Sequence, residues 1–434
     1  VAYTQPRILL SAYQCGPDMG SVSMIGWQWY ARLAKQAPVT LVTHIRNHRS
    51  LTEAGAPLPN TEIIYIDTEW FAAPLHKLTL KLFPHSEHAV FLLSSLDFYL
   101  YDWVSVRKLK KRQKKQKCWD IVHVVTPVSP TTATRLHTLD IPLLLGPWNG
   151  GIKTLKQFSH IMRQDASWVY WVRALGRIPS ALWGSTRKAA AILVANTVTK
   201  ETIAPRYHSH CVAMLENGVD MTIFKPAPWI GAPSKNKALK LIFVGRLLPF
   251  KALPLLLDAV AYMKNHHPDY PVELTVIGDG ALSFLWQHHA KKLNLNKEIT
   301  WYGMADHDEV VKKIHQSHVL CLPSIRESGG AVLLEAMACA RPVIAVDFGG
   351  PKDVVNNKVG CLVSAENDAS VVSGFVHAFL DIFAQPDKWK ERGEVGRQQA
   401  EKYYSWESKI NYTMKLYSQF TQPQTAPISS YDTL

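Results

Sequence analysis

From Lys240 onward, six short apolar segments recur along the chain: Leu241–Val244, Glu273–Ile277, Ile299–Tyr302, Val319–Leu322, Val343–Val346 and Cys361–Val363. Most are separated by roughly ten to fifteen residues whose apolar positions follow a helical period. Strands alternating with helices in this way imply a parallel sheet covered by helices on both faces. The first half repeats the pattern less regularly, at Arg7–Leu10, Val39–Val42, Glu62–Ile66, Asp120–Val125, Pro142–Leu145, Ala191–Val194 and Cys211–Leu215. Between the halves lies Glu216-Asn-Gly-Val-Asp-Met-Thr-Ile-Phe-Lys-Pro-Ala-Pro-Trp229, where Asn-Gly marks a turn and the prolines block continuation. A length of 434 residues is ample for two or three domains. Ligands of such sheets bind beyond the strand C-termini, so the loops that follow the strands are where chemistry is expected.

The loop after Val319–Leu322 carries the densest signal. It reads Pro323-Ser-Ile-Arg-Glu-Ser-Gly-Gly-Ala-Val-Leu-Leu-Glu335-Ala-Met-Ala, with seven residues between Glu327 and Glu335 and a helical pattern from about Gly330. Ser328 suits an N-cap, and Gly329 and Gly330 leave room for a ligand at the first backbone N–H groups. Those orphan donors and the helix dipole favour a phosphate. Carboxylates beside a phosphate are costly unless they accept hydrogen bonds from sugar hydroxyls. The segment therefore reads as a nucleotide-sugar site, with amides for the diphosphate, Glu335 for a ribose and Glu327 for the transferred sugar.

This Glu-x7-Glu spacing resembles the signature of retaining glycosyltransferases of the GT-B fold, specifically glycosyltransferase family four. The likeness continues through Cys339-Ala-Arg-Pro-Val-Ile-Ala-Val-Asp-Phe-Gly-Gly350-Pro, with Ala340 where the family usually has the glycine that ends the helix. Alanine resists the left-handed cap, so a local difference is expected there. Val244-Gly-Arg246-Leu-Leu-Pro-Phe-Lys251-Ala resembles the family's Gly-Arg-x4-Lys-Gly motif, with Ala252 for the last glycine. Arg246 and Lys251 at a strand end would neutralise a diphosphate as it departs. The joint resembles the family's Asn-Gly-Val-Asp-x-x-x-Phe linker, and Tyr404-Ser-Trp-Glu-Ser-Lys-Ile-Asn-Tyr resembles its returning C-terminal helix. The resemblance also implies donor contacts from Gly245, Met304, Ala331 and Val332.

On the N-terminal side, Gly16-Pro-Asp-Met-Gly20-Ser-Val resembles the family's first glycine-rich loop, where Gly20 and Ser21 would meet the diphosphate from the opposite domain. Some members carry an acid where this chain has Val22. Leu145-Gly-Pro-Trp-Asn149-Gly-Gly151 closes another strand, where many members place a histidine near the anomeric centre. Trp148 and Asn149 stand there as acceptor-side candidates, and no general base carries over. His123, within a strand pattern, reads as a buried and satisfied histidine. Asp306-His-Asp308 opens a helix, where acids suit the N-terminus, and no metal site is expected from it. Gly278-Asp-Gly280 reads as a strand-to-helix turn.

Net charge is +13 and the isoelectric point about 9.3. Arg107-Lys-Leu-Lys-Lys-Arg-Gln-Lys-Lys-Gln-Lys117 alone holds eight positive charges, so the remainder carries +5. Trp70, Phe71, Phe83, Phe91, Phe98, Tyr99, Tyr101 and Trp103 lie just before it, and aromatic residues beside a polybasic run fit an anionic membrane surface. No nucleic-acid fold signature accompanies the charge, so nucleic acid is not an expected partner. No apolar run approaches the ~18 residues that span a bilayer, and the stretch from Val1 to Leu10 does not read as a signal peptide. The six cysteines form no C-x-x-C pair, which suits free thiols in a reducing cytosol.

The expected architecture is α/β: a GT-B pair of Rossmann-like doubly wound domains facing across a cleft. Residues 1–216, completed by a helix at about 405–434, form the acceptor-side domain, and residues 217–404 bind the donor. The expected activity is retaining, metal-independent transfer of a hexose-type sugar from a UDP-, GDP- or ADP-sugar to a glycan or lipid-linked acceptor. No cofactor is expected, and the expected location is the cytoplasm, peripheral on the inner face of the membrane. Rival readings are a nucleotide-sugar epimerase of the same fold and a non-catalytic scaffold that binds membrane or a partner.

Overall fold

The computed structural model describes residues 5–82, 97–152, 155–164 and 184–421. Within them the apolar segments form two all-parallel sheets. The first contains β1 (Ile8–Ala12), β2 (Val39–His44), β3 (Thr61–Ile66), β4 (Ile121–Thr126), β5 (Leu143–Trp148), β6 (Ala191–Val194) and β7 (Cys211–Ala213). Its order is β3-β2-β1-β4-β5-β6-β7. The second contains β8 (Leu239–Val244), β9 (Val272–Ile277), β10 (Ile299–Gly303), β11 (Val319–Leu322), β12 (Val343–Val346) and β13 (Gly360–Val363). Its order is β10-β9-β8-β11-β12-β13. Strands β1, β2, β4, β5, β11 and β12 are buried along their whole length, because helices cover both faces.

The order of each sheet reverses once, between β1 and β4 in the first and between β8 and β11 in the second. Loops leaving such neighbouring strands depart toward opposite faces and open a crevice. The Gly20 loop follows β1, the Arg246 loop follows β8 and the Glu327 loop follows β11, so topology alone sends these motifs to the two crevices.

The helix Trp406–Thr421 returns to the first sheet. Trp406, Ile410, Leu416 and Tyr417 enter the core built by Ile8, Leu10, Trp29 and Leu41. The Trp406 ring lies so close to the joint that a Cβ on Gly218 would stand 2.8 Å from it. Val219 N–H donates to the Tyr404 carbonyl and Trp406 N–H to the Val219 carbonyl, which pins the joint to the start of this helix. Parts of two expectations lie outside the described residues: Phe83 and Phe91 of the aromatic stretch, and residues 422–434 of the expected helix.

Both alanines at family glycine positions adopt the left-handed conformation, Ala252 with φ 46° and Ala340 with φ 56°. The local difference expected at Ala340 does not occur. The helix Ala331–Ala338 still ends in a left-handed turn, with Arg341 N–H on the Ala336 carbonyl and Ala340 N–H on the Met337 carbonyl. The buried Arg341 guanidinium holds the region by donating to the carbonyls of Ser317, Ala227, Pro228 and His315. A left-handed L-residue costs roughly 1–2 kcal/mol, partly offset because glycine loses more freedom on folding. Ala340→Gly should therefore raise the stability of the protein by about 0.5–1 kcal/mol. Ala252→Gly should gain nothing, because it also removes a fully buried methyl worth about 0.8 kcal/mol. Urea unfolding midpoints of the two variants check this contrast, and equal shifts would refute it.

Candidate active site

After β11 the chain runs through Pro323–Gly330 before the helix Ala331–Ala338 begins. The N-cap is Gly330 with φ 53°, not Ser328 as the sequence suggests. A positive φ turns the chain sharply into the helix and leaves Ser328 two residues outside it. No side chain among the described residues caps this helix, which leaves its first N–H groups open to an anion. Ala331 is half-buried, and the Val332 side chain is buried in the core, so what these two present to the crevice is backbone.

The loop is nested against a second backbone. Gly350 N–H donates to the Glu327 carbonyl at 2.9 Å. A Cβ on Gly350 would stand 1.7 Å from the Ser328 carbonyl oxygen, and one on Gly349 would stand 2.3 Å from that of Glu327. Asn196 of the first domain donates from Nδ2 to the Ser328 carbonyl at 3.0 Å. Thr197 donates from its N–H to Asp353 at 2.7 Å, and Ile152 reaches to 3.5 Å from a Cβ placed on Gly349. The loops beyond β5 and β6 thus close over the loops beyond β11 and β12.

Lys251 and Glu327 meet directly. The Lys251 ammonium bonds the Glu327 carboxylate, and both side chains are mostly buried, at 13% and 15% exposure. The Lys251 stem lies over Gly245, whose added Cβ would stand 3.6 Å from its Cε. Arg246, in the same loop as Lys251, is exposed, and no carboxylate among the described residues pairs with it. Gly278 and Gly280 pack against the Gly245 and Leu247 carbonyls, so Gly278-Asp-Gly280 is a turn that supports the Arg246 loop. Glu335 is half-buried in the helix behind the loop, and burial alone pushes its carboxyl up to about 7. Met304 follows edge strand β10 and is 74% exposed.

The first domain contributes the Gly20 turn, with φ 98°, at the start of the helix Ser21–Leu33. Gly20 and Ser21 are exposed, and a Cβ on Gly20 would meet nothing within 4 Å. No hydrogen bond among the described residues links them to the Glu327 loop. Trp148 is buried in the core of the first sheet, so it is Asn149 of this pair that reaches the joint. Its Nδ2 donates to Glu216 Oε1 at 2.5 Å. His123 is fully buried, bonded to the Tyr417 hydroxyl at 2.6 Å and the Gly146 carbonyl at 2.7 Å, and burial pushes its pKa down to about 4. It joins the returning helix to the sheet and does no chemistry in the cleft. Asp306 is the N-cap of the helix His307–His315 and accepts the Glu309 N–H at 2.9 Å.

Glu216 and Lys409 are the participants that the sequence reading passed over. Glu216 was legible only as the start of the linker, although an acid directly before Asn-Gly at an apolar strand end is itself a signal. The structure buries it to 2% exposure against the Glu327 loop, where a Cβ on Gly329 would stand 2.4 Å from Oε1. Burial raises its pKa, the Lys409 charge lowers it, and Glu327 raises it further. Lys409, buried on the returning helix, donates to the Leu215 and Asn217 carbonyls, and burial lowers its pKa against the pull of Glu216.

Residues 231–395 match the family model described as glycosyl transferases group 1. The D-inositol 3-phosphate glycosyltransferase of Paenarthrobacter aurescens is 27% identical over 245 residues, which is 52% of this chain and 57% of that protein. The chain spans between half and two thirds of the length of the curated relatives it matches first. A glycosyltransferase from Rickettsia africae superposes with a TM-score of 0.64 over 97% of this chain and 100% of that one, at 14% identity. Anabaena HepE in complex with UDP superposes with a TM-score of 0.60 over 94% and 98%, at 13% identity. The fold is GT-B, two Rossmann-like domains facing across a cleft. Within that fold, residues 231–395 carry the sequence pattern of group 1 glycosyl transferases.

The raised Glu335 pKa has a measurable consequence. Between about 4.5 and 7 the folded protein holds a proton there that the unfolded chain has released, so this group's contribution falls as pH rises through that window. Glu335→Gln should then leave stability unchanged near pH 4 and raise it above pH 7. Half-burial limits the gain to about 1–3 kcal/mol. The same variant should bind free nucleoside diphosphate more weakly. Thermal unfolding across pH, with nucleotide titration alongside, tests both, and a stability gain that is equal at all pH values would refute the first.

Proposed function

We propose that this protein is a retaining, metal-independent glycosyltransferase that moves a hexose-type sugar from a nucleotide-diphospho-sugar to a glycan or lipid-linked acceptor. The observation that carries this reading is the Lys251–Glu327 pair beside the uncapped N-terminus of the helix Ala331–Ala338, at a sheet's switch point. Free N–H groups and a lysine held by a carboxylate suit a donor that is anionic at one end and hydroxyl-rich at the other. On donor binding, Lys251 turns to the diphosphate with Arg246, and Glu327 is released to accept hydrogen bonds from the sugar. The acceptor oxygen bonds C1 on the face from which the phosphate departs, the C1–O bond to phosphate breaks, and the acceptor proton passes to the leaving phosphate oxygen. No side-chain base is needed on this route, which suits a chain with Trp148 and Asn149 at the strand end where many members of the resembled family place a histidine. Glu335 would hold the ribose.

The relatives support the coarse reading: one is named as acting on an inositol phosphate, and a fold neighbour was solved with UDP. UDP-sugars therefore come first in a panel with GDP- and ADP-sugars, in which the pure protein is incubated with and without EDTA. Slow hydrolysis of one donor that EDTA does not abolish supports the proposal. Tight nucleotide binding with no turnover of any donor would favour the scaffold reading. With the active donor in hand, Arg246→Ala and Lys251→Ala should each lower turnover at least ~100-fold while leaving the fold intact. Near-normal turnover in the double variant would reject these roles.

A lipid-linked acceptor draws support from the basic run. It forms the end of the helix Asp97–Gln116, whose Phe98, Tyr101, Val106 and Leu109 are buried against the first sheet. Arg112 is spent on Glu62, at 2.6 and 2.8 Å. Arg107, Lys108, Lys111, Lys114, Lys115 and Lys117 face outward, and the exposed Trp103 lies under the Arg107 guanidinium. No described helix is long and apolar enough to cross a membrane. Up to ~1 kcal/mol per charge is available near an anionic leaflet. Co-sedimentation with liposomes should rise with anionic lipid, fall with salt and vanish when these six residues become glutamine. Indifference to anionic liposomes at low salt would remove the membrane claim and leave the transferase proposal standing.

A further inference from the structure

Glu216 ends the run into the joint, and its carboxyl lies flat against the Glu327 loop. Its Oε1 accepts from Asn149 Nδ2 at 2.5 Å and from Asn217 Nδ2 at 3.3 Å. Its Oε2 is buried and has no hydrogen-bond partner among the described residues. A Cβ on Gly329 would stand 2.4 Å from Oε1 and 2.9 Å from Oε2, so position 329 is glycine because the acid occupies the space a side chain would need. A buried acid kept against a loop at this steric cost, with one oxygen left unsatisfied, calls for a role.

Asn149 supplies it. The residue follows β5 at the rim of the first sheet. The two ends of a carboxamide are nearly the same size and differ in whether they donate or accept, so an unsupported amide turns over freely. With Nδ2 committed to Glu216, Oδ1 is directed away from it, and Oδ1 accepts no hydrogen bond from a described residue.

We propose that Glu216 is a positioning residue of the transfer site, which holds the Asn149 carboxamide with its oxygen toward the cleft to accept a hydrogen bond from an acceptor sugar hydroxyl. This rests on the transferase reading. The hydroxyl that Asn149 holds is a neighbour of the reacting one, which keeps its own proton for the departing phosphate.

The charge of Glu216 is set by what faces it. Lys409 approaches from the returning helix, Glu327 from the donor loop with Lys251 bonded to it, Asn149 from the β5 end, and Asn217 from the joint. Burial and Glu327 hold its proton on to higher pH than an ordinary carboxyl, against Lys409. Once ionised, Glu216 adds a second negative charge beside Glu327, which opposes the negative charge that builds on the departing phosphate. Turnover should therefore fall as pH rises through the Glu216 titration.

The test compares Glu216→Ala, Glu216→Gln, Asn149→Ala and the double variant Glu216→Ala/Asn149→Ala in the full chain. Glu216→Ala should lower kcat at least tenfold, while affinity for the nucleoside diphosphate of the active donor stays within twofold. The double variant should be no slower than Asn149→Ala alone. Glu216→Gln keeps an acceptor oxygen for Nδ2 without a charge, so it should restore most of the lost kcat and abolish the fall at rising pH. Losses that multiply in the double variant, or nucleotide affinity that falls in step with kcat, would overturn the proposal. A second readout needs no turnover: the Asn149 side-chain 15N–1H signals should shift with pH in the wild type and hold still in Glu216→Gln. Signals that ignore pH in the wild type would also overturn it. Failure of every donor in the hydrolysis panel would instead count against the transferase reading, and the Asn149 signals would still decide whether Glu216 positions the amide.

Discussion

The arrangement of the cleft depends on a steric constraint, the close approach of two stretches of backbone. Ser328 and Glu327 present their carbonyl oxygens where side chains of Gly350 and Gly349 would otherwise stand. Because neither glycine has a Cβ, the loop after β11 sinks against the loop after β12 and is stapled by the Gly350 N–H. That depth brings Gly329 onto Glu216 and the Ser328 carbonyl within reach of Asn196, so the Glu327 loop is held from its own domain, from the linker and from the opposite domain. Side chains at either glycine would lift the loop and disturb all three contacts together.

Charge at this site is compensated from within the crevice. Lys251 shares a mostly buried bond with Glu327, which keeps an ammonium and a carboxylate compensated inside the crevice. Glu216 and Glu335 have no such ion-paired partner among the described residues, and burial moves both toward neutrality. Three carboxyl groups around the Glu327 loop thus stand in distinct environments: one paired, one hydrogen-bonded by an amide, and one half-buried on the helix Ala331–Ala338. Placing all three as full charges beside a diphosphate would oppose binding.

The strands were legible because their apolar runs are short and bounded, and each of the thirteen proposed segments falls on a strand. Their parallel order followed from the helices between them. The positions of Lys251 and Glu327 in the loops after β8 and β11 were also legible, since their motifs sit directly after strands. The Lys251–Glu327 bond itself was not, because the two residues are brought together by adjacent strands rather than by spacing. Ser328 misled because serine is a good N-cap in general, whereas the positive φ of Gly330 decides where this helix starts. Ala340 misled in the opposite sense: propensity argued against a left-handed alanine, and the buried Arg341 network holds one there. Glu216 and Lys409 stayed hidden because their burial is created by the meeting of the joint with a helix nearly two hundred residues further on.

That returning helix also sets the order in which the molecule is completed. The core of the first sheet includes Trp406, Ile410, Leu416 and Tyr417, and these are among the last described residues to be synthesised. While the second domain is being made, the surface around Trp29 and Leu41 waits without its cover, and His123 lacks its tyrosine partner. Contacts this distant in sequence carry a large loop-closure cost and form late. Nascent chains that have not yet extended past residue 421 therefore expose an apolar groove on a nearly finished sheet, the kind of surface on which partly folded chains associate. The helix that clamps the joint in the finished protein is, during synthesis, the missing cover of the domain made first.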